Sequence, residues 1–374
     1  MMEESEPPSD DGRPKRKRME DYSKNDLVAH LKEALKQLRE NEKKNAELVE
    51  SRDTLLAKTQ GLLAKFKQSP LPTGMSRTRR ILLLDLLVER SEFGHGGNQE
   101  VIQPIAREGD VDIFLLTPHM QSEESGIKAN EEGLYFIGEK DVPNWDHDYP
   151  FWESCEVPMG DNIARFYRVA LPTGRGDLEM ARWLESIKVD AVVCSGSRKN
   201  VTMWEGWMDS ASSLMRVSSK SGTPTLGICF GHQLLCKSLG AEVTRADTMS
   251  SGIWNMKLNE EGHEDILFDL RKMEDIGPAV VYSHQDHVTS VPSSCTLLGS
   301  ADHNRVTAIR VNDNQGNPLQ SWGVQFHPEA ARARVNRAFE WGHITKEELD
   351  SFQREHDGAG VLSSFASVVR ANLT

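Results

Sequence analysis

One thiol in this chain stands where a nucleophile would be built. In Gly222-Thr223-Pro224-Thr225-Leu226-Gly227-Ile228-Cys229-Phe230-Gly231-His232-Gln233-Leu234-Leu235, an apolar run enters Gly-x-Cys-x-Gly and continues into a helical pattern. Strand, sharp turn and helix in that order make a nucleophile elbow, here with Cys229 in the place that serine takes in hydrolases. Glycines at 227 and 231 let the backbone turn tightly and let strand and helix approach one another. A sulfur at a helix N-terminus is favoured as thiolate, the reactive form. Such a nucleophile needs a base and a group to orient that base. Trp322-Gly323-Val324-Gln325-Phe326-His327-Pro328-Glu329 offers both, with His327 ending an apolar strand and Glu329 two residues on. His327 would take the thiol proton and later protonate a leaving amine, while Glu329 would fix the imidazole tautomer.

Those residues must be held by a scaffold, and the apolar pattern specifies one. Runs at Ile81 to Val88, Val111 to Leu116, Phe166 to Leu171, Ala191 to Cys194 and Thr225 to Cys229 are short and continuously apolar, as strands buried on both faces are. Helical patterns lie between them, notably Leu178 to Ile187 and Met203 to Met215. This alternation predicts an α/β fold around a mostly parallel sheet flanked by helices. Val280 to Tyr282, Cys295 to Gly299, Val306 to Val311 and Ser321 to Phe326 read as further strands added at one side. Residues 118–165, rich in Glu, Asp, Trp and Gly, are too long for an ordinary loop and read as an insertion able to cover a site.

Together the two motifs resemble class I glutamine amidotransferases, whose elbow reads G-x-C-x-G-x-Q and whose base lies in V-Q-F-H-P-E. Tyr282-Ser283-His284-Gln285-Asp286-His287-Val288 is similar to the S-H-x-D-x-V segment of GMP synthetase amidotransferase domains and of plant γ-glutamyl peptidases. The resemblance covers roughly residues 81 to 330 and implies flavodoxin-like layering and a Cys229–His327–Glu329 triad. It further implies attack on the γ-carbonyl of glutamine or a γ-glutamyl group, a thioester, and release of ammonia or an amine. Oxyanion donors would come from Phe230 and from the turn holding Gly196 and Ser197. Gln233, Ser283, His284, Gln285 and Asp286 would line the substrate pocket. The family turn commonly reads S-G-G-P, whereas Ser195-Gly196-Ser197-Arg198-Lys199 brings two cations towards a substrate carboxylate. No cofactor is implied, and no metal site is assigned: His284 and His287 have no third ligand nearby in sequence.

The chain has 374 residues with 44 basic and 57 acidic side chains, a net charge of −13. Residues 1–80 carry 18 basic and 14 acidic groups, so the acidity belongs to the remainder. An acidic catalytic part makes nucleic acid an unlikely substrate, and no apolar stretch suits a signal peptide or a membrane span. Five scattered cysteines without a CxxC pair suit a reducing compartment. Residues 1–26 are expected to be a disordered basic tail whose Arg13-Pro14-Lys15-Arg16-Lys17-Arg18 run resembles a nuclear localisation signal, giving a cytoplasmic or nuclear expectation. Residues 27–68 are predicted helical, with Val28, Leu31, Leu35, Leu38, Val49, Leu56, Leu63 and Phe66 at heptad spacing, so self-association or a partner helix through 28–66 is expected. Residues 69–80 read as a linker, 81–345 as the amidotransferase-like domain and 346–374 as a C-terminal helical tail. Three readings follow: a stand-alone γ-glutamyl hydrolase or transferase, a partner-dependent glutaminase subunit, and an inactive coiled-coil scaffold.

Overall fold

The structure, a computed structural model, describes residues 32, 35–37, 39–40, 43–44, 78–86, 95–107, 109–121, 126–138, 155–269, 277–340, 342, 344–352 and 355–372. The chain divides into Met1–Leu55 and Leu56–Thr374. In the first unit the described residues between 32 and 44 are helical and exposed, Leu35 among them at 47%. The basic run 13–18, the linker up to residue 77 and the other heptad residues named above lie outside the described residues.

Among the described residues, the second unit is built on a ten-stranded sheet. Its strands in chain order are β1 (Arg79–Leu84), β2 (Val111–Gln121), β3 (Cys155–Met159), β4 (Asn162–Leu171), β5 (Ala191–Cys194) and β6 (Thr225–Ile228), then β8 (Lys257–Leu258), β10 (Cys295–Ala301), β11 (Asn304–Asn312) and β12 (Pro318–Val324). Spatial order is β3-β4-β2-β1-β5-β6-β12-β11-β10-β8. From β4 to β12 every neighbouring pair is parallel, and the flanking pairs are antiparallel. A separate antiparallel pair joins β7 (Val243–Asn255) to β9 (Ala279–Val288).

Alternating side chains explain why the central runs are continuously apolar. Ile81 and Leu83 of β1 face one core with Val101, Ile102 and Ile105 of α1 (His95–Ala106) and Val361, Leu362, Phe365 and Val369 of α8 (Gly358–Ala371). Leu82 and Leu84 face the opposite core, filled by α2 (Asp177–Ile187), α3 (Trp207–Lys220) and α4 (Phe230–Ser238). Asp177 clasps α2 to α3 by accepting from Arg216 Nε at 2.7 Å and Ser213 Oγ at 2.6 Å. The remaining α-helices among the described residues of this unit are α5 (Glu260–Glu264), α6 (Arg332–Glu340) and α7 (Lys346–Ser351). A capping box starts α7: the Thr345 hydroxyl accepts from the Glu348 N–H, and the Glu348 carboxylate accepts from the Thr345 N–H.

One expectation needs correction. Residues 155–165, expected to belong to an insertion over the site, instead form β3 and the start of β4 at the far sheet edge. Their pattern alternates because an edge hairpin is half exposed. The segment after 346 is helical as expected, and α8 buries one apolar face in the core. No helix among the described residues is long and apolar enough to cross a membrane.

Candidate active site

The carboxyl ends of three adjacent parallel strands meet at one point, the place where open α/β sheets bind ligands. Register pairs Gly227 of β6 with Cys194 of β5 and Gly323 of β12, and Ile228 with Val324. The residues following each strand therefore emerge level with one another. Cys229 follows β6, the Ser195-Gly196-Ser197 turn follows β5, and His327 follows β12.

Cys229 sits at the N-terminus of α4 with φ 51° and ψ −101°, a left-handed φ that a side-chain-bearing residue rarely adopts. The turn survives because both ends are anchored: Cys229 N–H donates to Val324 O at 2.8 Å, and Gln233 N–H donates to Cys229 O at 3.1 Å. Neither flanking glycine tolerates a side chain. A Cβ at 227 would lie 2.5 Å from Gly231 O, and one at 231 would collide with the Cys194 carbonyl.

His327 faces the thiol from the end of β12. Its Nδ1 lies 2.8 Å from Glu329 Oε1, and the ring lines one cavity with Cys229. The His327 N–H donates to Val281 O at 2.8 Å, which ties the base to β9. Burial alone would push this imidazole towards neutrality. The nearby Cys229 sulfur and the carboxylate of Glu329 outweigh it, holding the ring well above its ordinary value of 6.5. Glu329 is 7% exposed, and its second oxygen is buried with no hydrogen-bond partner among the described residues.

Around the sulfur, Gln325 Nε2 donates to Sγ at 3.7 Å, and Sγ itself faces Ser283 O at 3.8 Å. The backbone N–H groups of Phe230 and Gly196 have no acceptor among the described residues. Unsatisfied donors beside a nucleophile are what an oxyanion hole requires. Gly196 is needed for closeness as well, because a Cβ there would lie 2.7 Å from His327 Cε1. The turn is braced by the segment after β1: Leu86 N–H donates to Ser195 Oγ at 3.1 Å, and Ser197 Oγ donates to Leu86 O at 3.3 Å. One residue earlier, Asp85 is buried in an ion pair with Arg168 at 2.5 Å.

The expected pocket residues all line one cavity of about 330 Å³ with Cys229 and His327, but several serve as framework. Gln233 Nε2 donates to Asp286 O at 2.6 Å. The Asp286 carboxylate accepts from Thr202 N–H at 2.9 Å, Thr202 Oγ1 at 2.7 Å and Arg245 Nη1 at 3.2 Å. Arg245 also donates to Asn200 Oδ1 at 2.6 Å and Gln285 Oε1 at 2.5 Å, so it fastens the 200 loop to β9. His284 turns Nδ1 to Asp286 O at 3.0 Å, and burial with nearby His303 lowers its ring to about 3, so it is neutral. Of the two cations after Ser197, Lys199 pairs with Glu205 at 2.9 Å, while Arg198 is exposed at the cavity with no partner among the described residues. Sequence reasoning missed Arg245, Thr202 and Gln325, and the wall of Val335, Ile344 and Phe352 that α6 and the segments flanking α7 bring to the cavity. Gln325 was within the quoted motif; the others sit in no recognisable pattern and are assembled only by the fold.

Residues 172–339 match the family model of class-I glutamine amidotransferases. The glutamine-hydrolyzing GMP synthase subunit of Sulfurisphaera tokodaii is 38% identical over 112 residues, 29% of this chain and 53% of that protein. The glutamine-hydrolyzing GMP synthase of Thermus thermophilus is 41% identical over 112 residues, 30% of this chain and 20% of that protein. The chain thus spans about half or less of the length of these curated relatives. A solved glutamine amidotransferase of Thermotoga maritima overlays with a TM-score of 0.45 at 16% identity, over 79% of this chain and 99% of the other.

Proposed function

We propose, for a chain whose residues 172–339 belong to the class-I glutamine amidotransferases, that Cys229, His327 and Glu329 hydrolyse the γ-amide of glutamine or of a γ-glutamyl compound. The observation that carries this reading is the convergence of three groups: a strained thiol at a helix N-terminus, in one cavity with an imidazole that is itself fixed by a buried carboxylate. The sulfur adds to the γ-carbonyl carbon, and the oxyanion is received by the N–H groups of Phe230 and Gly196. The His327 imidazolium gives its proton to the departing nitrogen as the carbon–nitrogen bond breaks, leaving a γ-glutamyl thioester. Water, deprotonated by the now neutral His327, adds to the thioester, and collapse releases glutamate and restores the thiol. Arg198 supplies an exposed guanidinium for the α-carboxylate of the glutamyl group.

The test is ammonia release from glutamine by the full chain. The reading expects turnover that Cys229→Ala abolishes; equal turnover by the variant would refute it. A second reading, supported by a relative named as one subunit of GMP synthase, is a glutaminase that hands ammonia to a partner. It expects turnover to appear or rise only when that partner is added.

A further inference from the structure

The two ends of the cavity differ in chemistry. Arg198, Asn200, Gln233, Arg245, Gln285 and Asp286 form one end, where a glutamyl group finds partners for its charges. The other end is apolar: Val281, Ala330, Val335, Ile344 and Phe352 all line it. These five belong to a small apolar cluster separate from the two large cores, and each is at most 9% exposed. The charged residue on this wall, Glu348, turns its carboxylate back onto the Thr345 N–H at 2.8 Å. Phe352 is fixed by Arg332, which donates to its carbonyl oxygen.

This apolar end lies on the side of the base. Val281 O accepts the His327 N–H, and Ala330 N–H donates to His327 O at 3.3 Å, so both walls are built directly around the residue that protonates the leaving nitrogen. Departing ammonia is small and hydrated and gains nothing from such surroundings. An apolar amine gains the burial of its own surface against the side chains that line the cavity. Met249, 54% exposed at the cavity rim, adds an adaptable apolar side chain at the mouth.

We infer, resting on the hydrolase reading above, that the preferred substrate is a γ-glutamyl amide of an apolar or aromatic amine, with Val281, Ala330, Val335, Ile344 and Phe352 forming the leaving-group subsite. The amide carbon–nitrogen bond breaks, the free amine leaves with the His327 proton, and water replaces it on the thioester carbon. Steady-state kinetics of the full chain on glutamine and on γ-glutamyl-phenethylamide test this. The expected kcat/KM for the phenethylamide exceeds that for glutamine at least about tenfold. Ala330→Leu, which fills the subsite, is expected to remove most of that preference. Glutamine cleaved as well as or better than the phenethylamide, or a preference that Ala330→Leu leaves unchanged, overturns the inference while the hydrolase reading stands. No turnover of either amide, together with no Cys229 adduct from a glutamine-like diazo-ketone, refutes the hydrolase reading itself and this inference with it.

Discussion

The Nδ1 atom of His327 lies 2.8 Å from the Oε1 atom of Glu329, two residues along the chain, and both side chains are nearly buried. The intervening Pro328 shapes a turn in which base and orienting group come from one short segment, while the nucleophile comes from a different strand. Holding the tautomer is the role this contact gives Glu329. Replacing it with Gln keeps the size and removes the charge. Glu329→Gln is expected to lower kcat by about 10²-fold or more with little change in folding. A thermal melt and ammonia release on the same sample check it; unchanged kcat would contradict the assigned role.

The raised His327 titration fixes a pH profile. A ring held well above 6.5 stays protonated through neutrality, so the imidazolium needed for the leaving nitrogen persists, and activity turns down on the alkaline side as the ring loses its proton. The same shift contributes stability that is complete below pH 6.5 and is lost as pH rises through the native value. Cys229→Ala removes the group whose effect in holding the proton is greater than that of Glu329. NMR titration of the His327 ring is expected to show a lower midpoint in that variant; an equal midpoint would contradict the pair.

Arg198 stands at the glutamyl end of the cavity without a partner among the described residues. Loss of a charge-assisted contact made equally in ground and transition states raises KM and spares kcat. Arg198→Ala is expected to raise KM for glutamine about tenfold or more, the scale of one hydrogen bond to a charged group. An unchanged KM would show that the guanidinium does not meet the substrate.

Buried neutral histidines set the acid limit of stability. His284 is lowered to about 3 and His232 to about 4, both mainly by burial. The unfolded chain protonates these rings near 6.5 and the native protein does not, so stability is complete above pH 6.5 and falls as pH drops towards 4. Urea midpoints at pH 7 and pH 4.5 are expected to differ less in His284→Gln than in the unmodified chain. An equal difference would contradict a neutral buried ring.

Much of this is legible in the residues. Gly227, Cys229 and Gly231 announce the elbow, and the continuous runs at 81, 191 and 225 announce strands buried on both faces, because those features are local in sequence. The length of β9 is not: Ser283 to Val288 reads as a pocket segment, yet it continues the Ala279–Tyr282 strand and pairs with β7. Its polar residues disguise a strand whose side chains are held by Thr202 of the 200 loop and by Arg245 of β7. Arg245 is invisible for the same reason, since its meaning lies in Asp286, Asn200 and Gln285, 40 or more positions away. β3 and the first residues of β4 are misplaced by sequence reasoning because they carry no motif, and only packing assigns them to the sheet edge.

The central claim is that Cys229 is a competent nucleophile in a glutamyl-shaped pocket. Intact-mass labelling of the full chain with a glutamine-like diazo-ketone tests it most directly, with Cys229→Ala alongside. The account predicts one adduct on the unmodified chain, none on the variant, and suppression by excess glutamine. An adduct that survives the substitution, or no adduct on a folded chain, would contradict it.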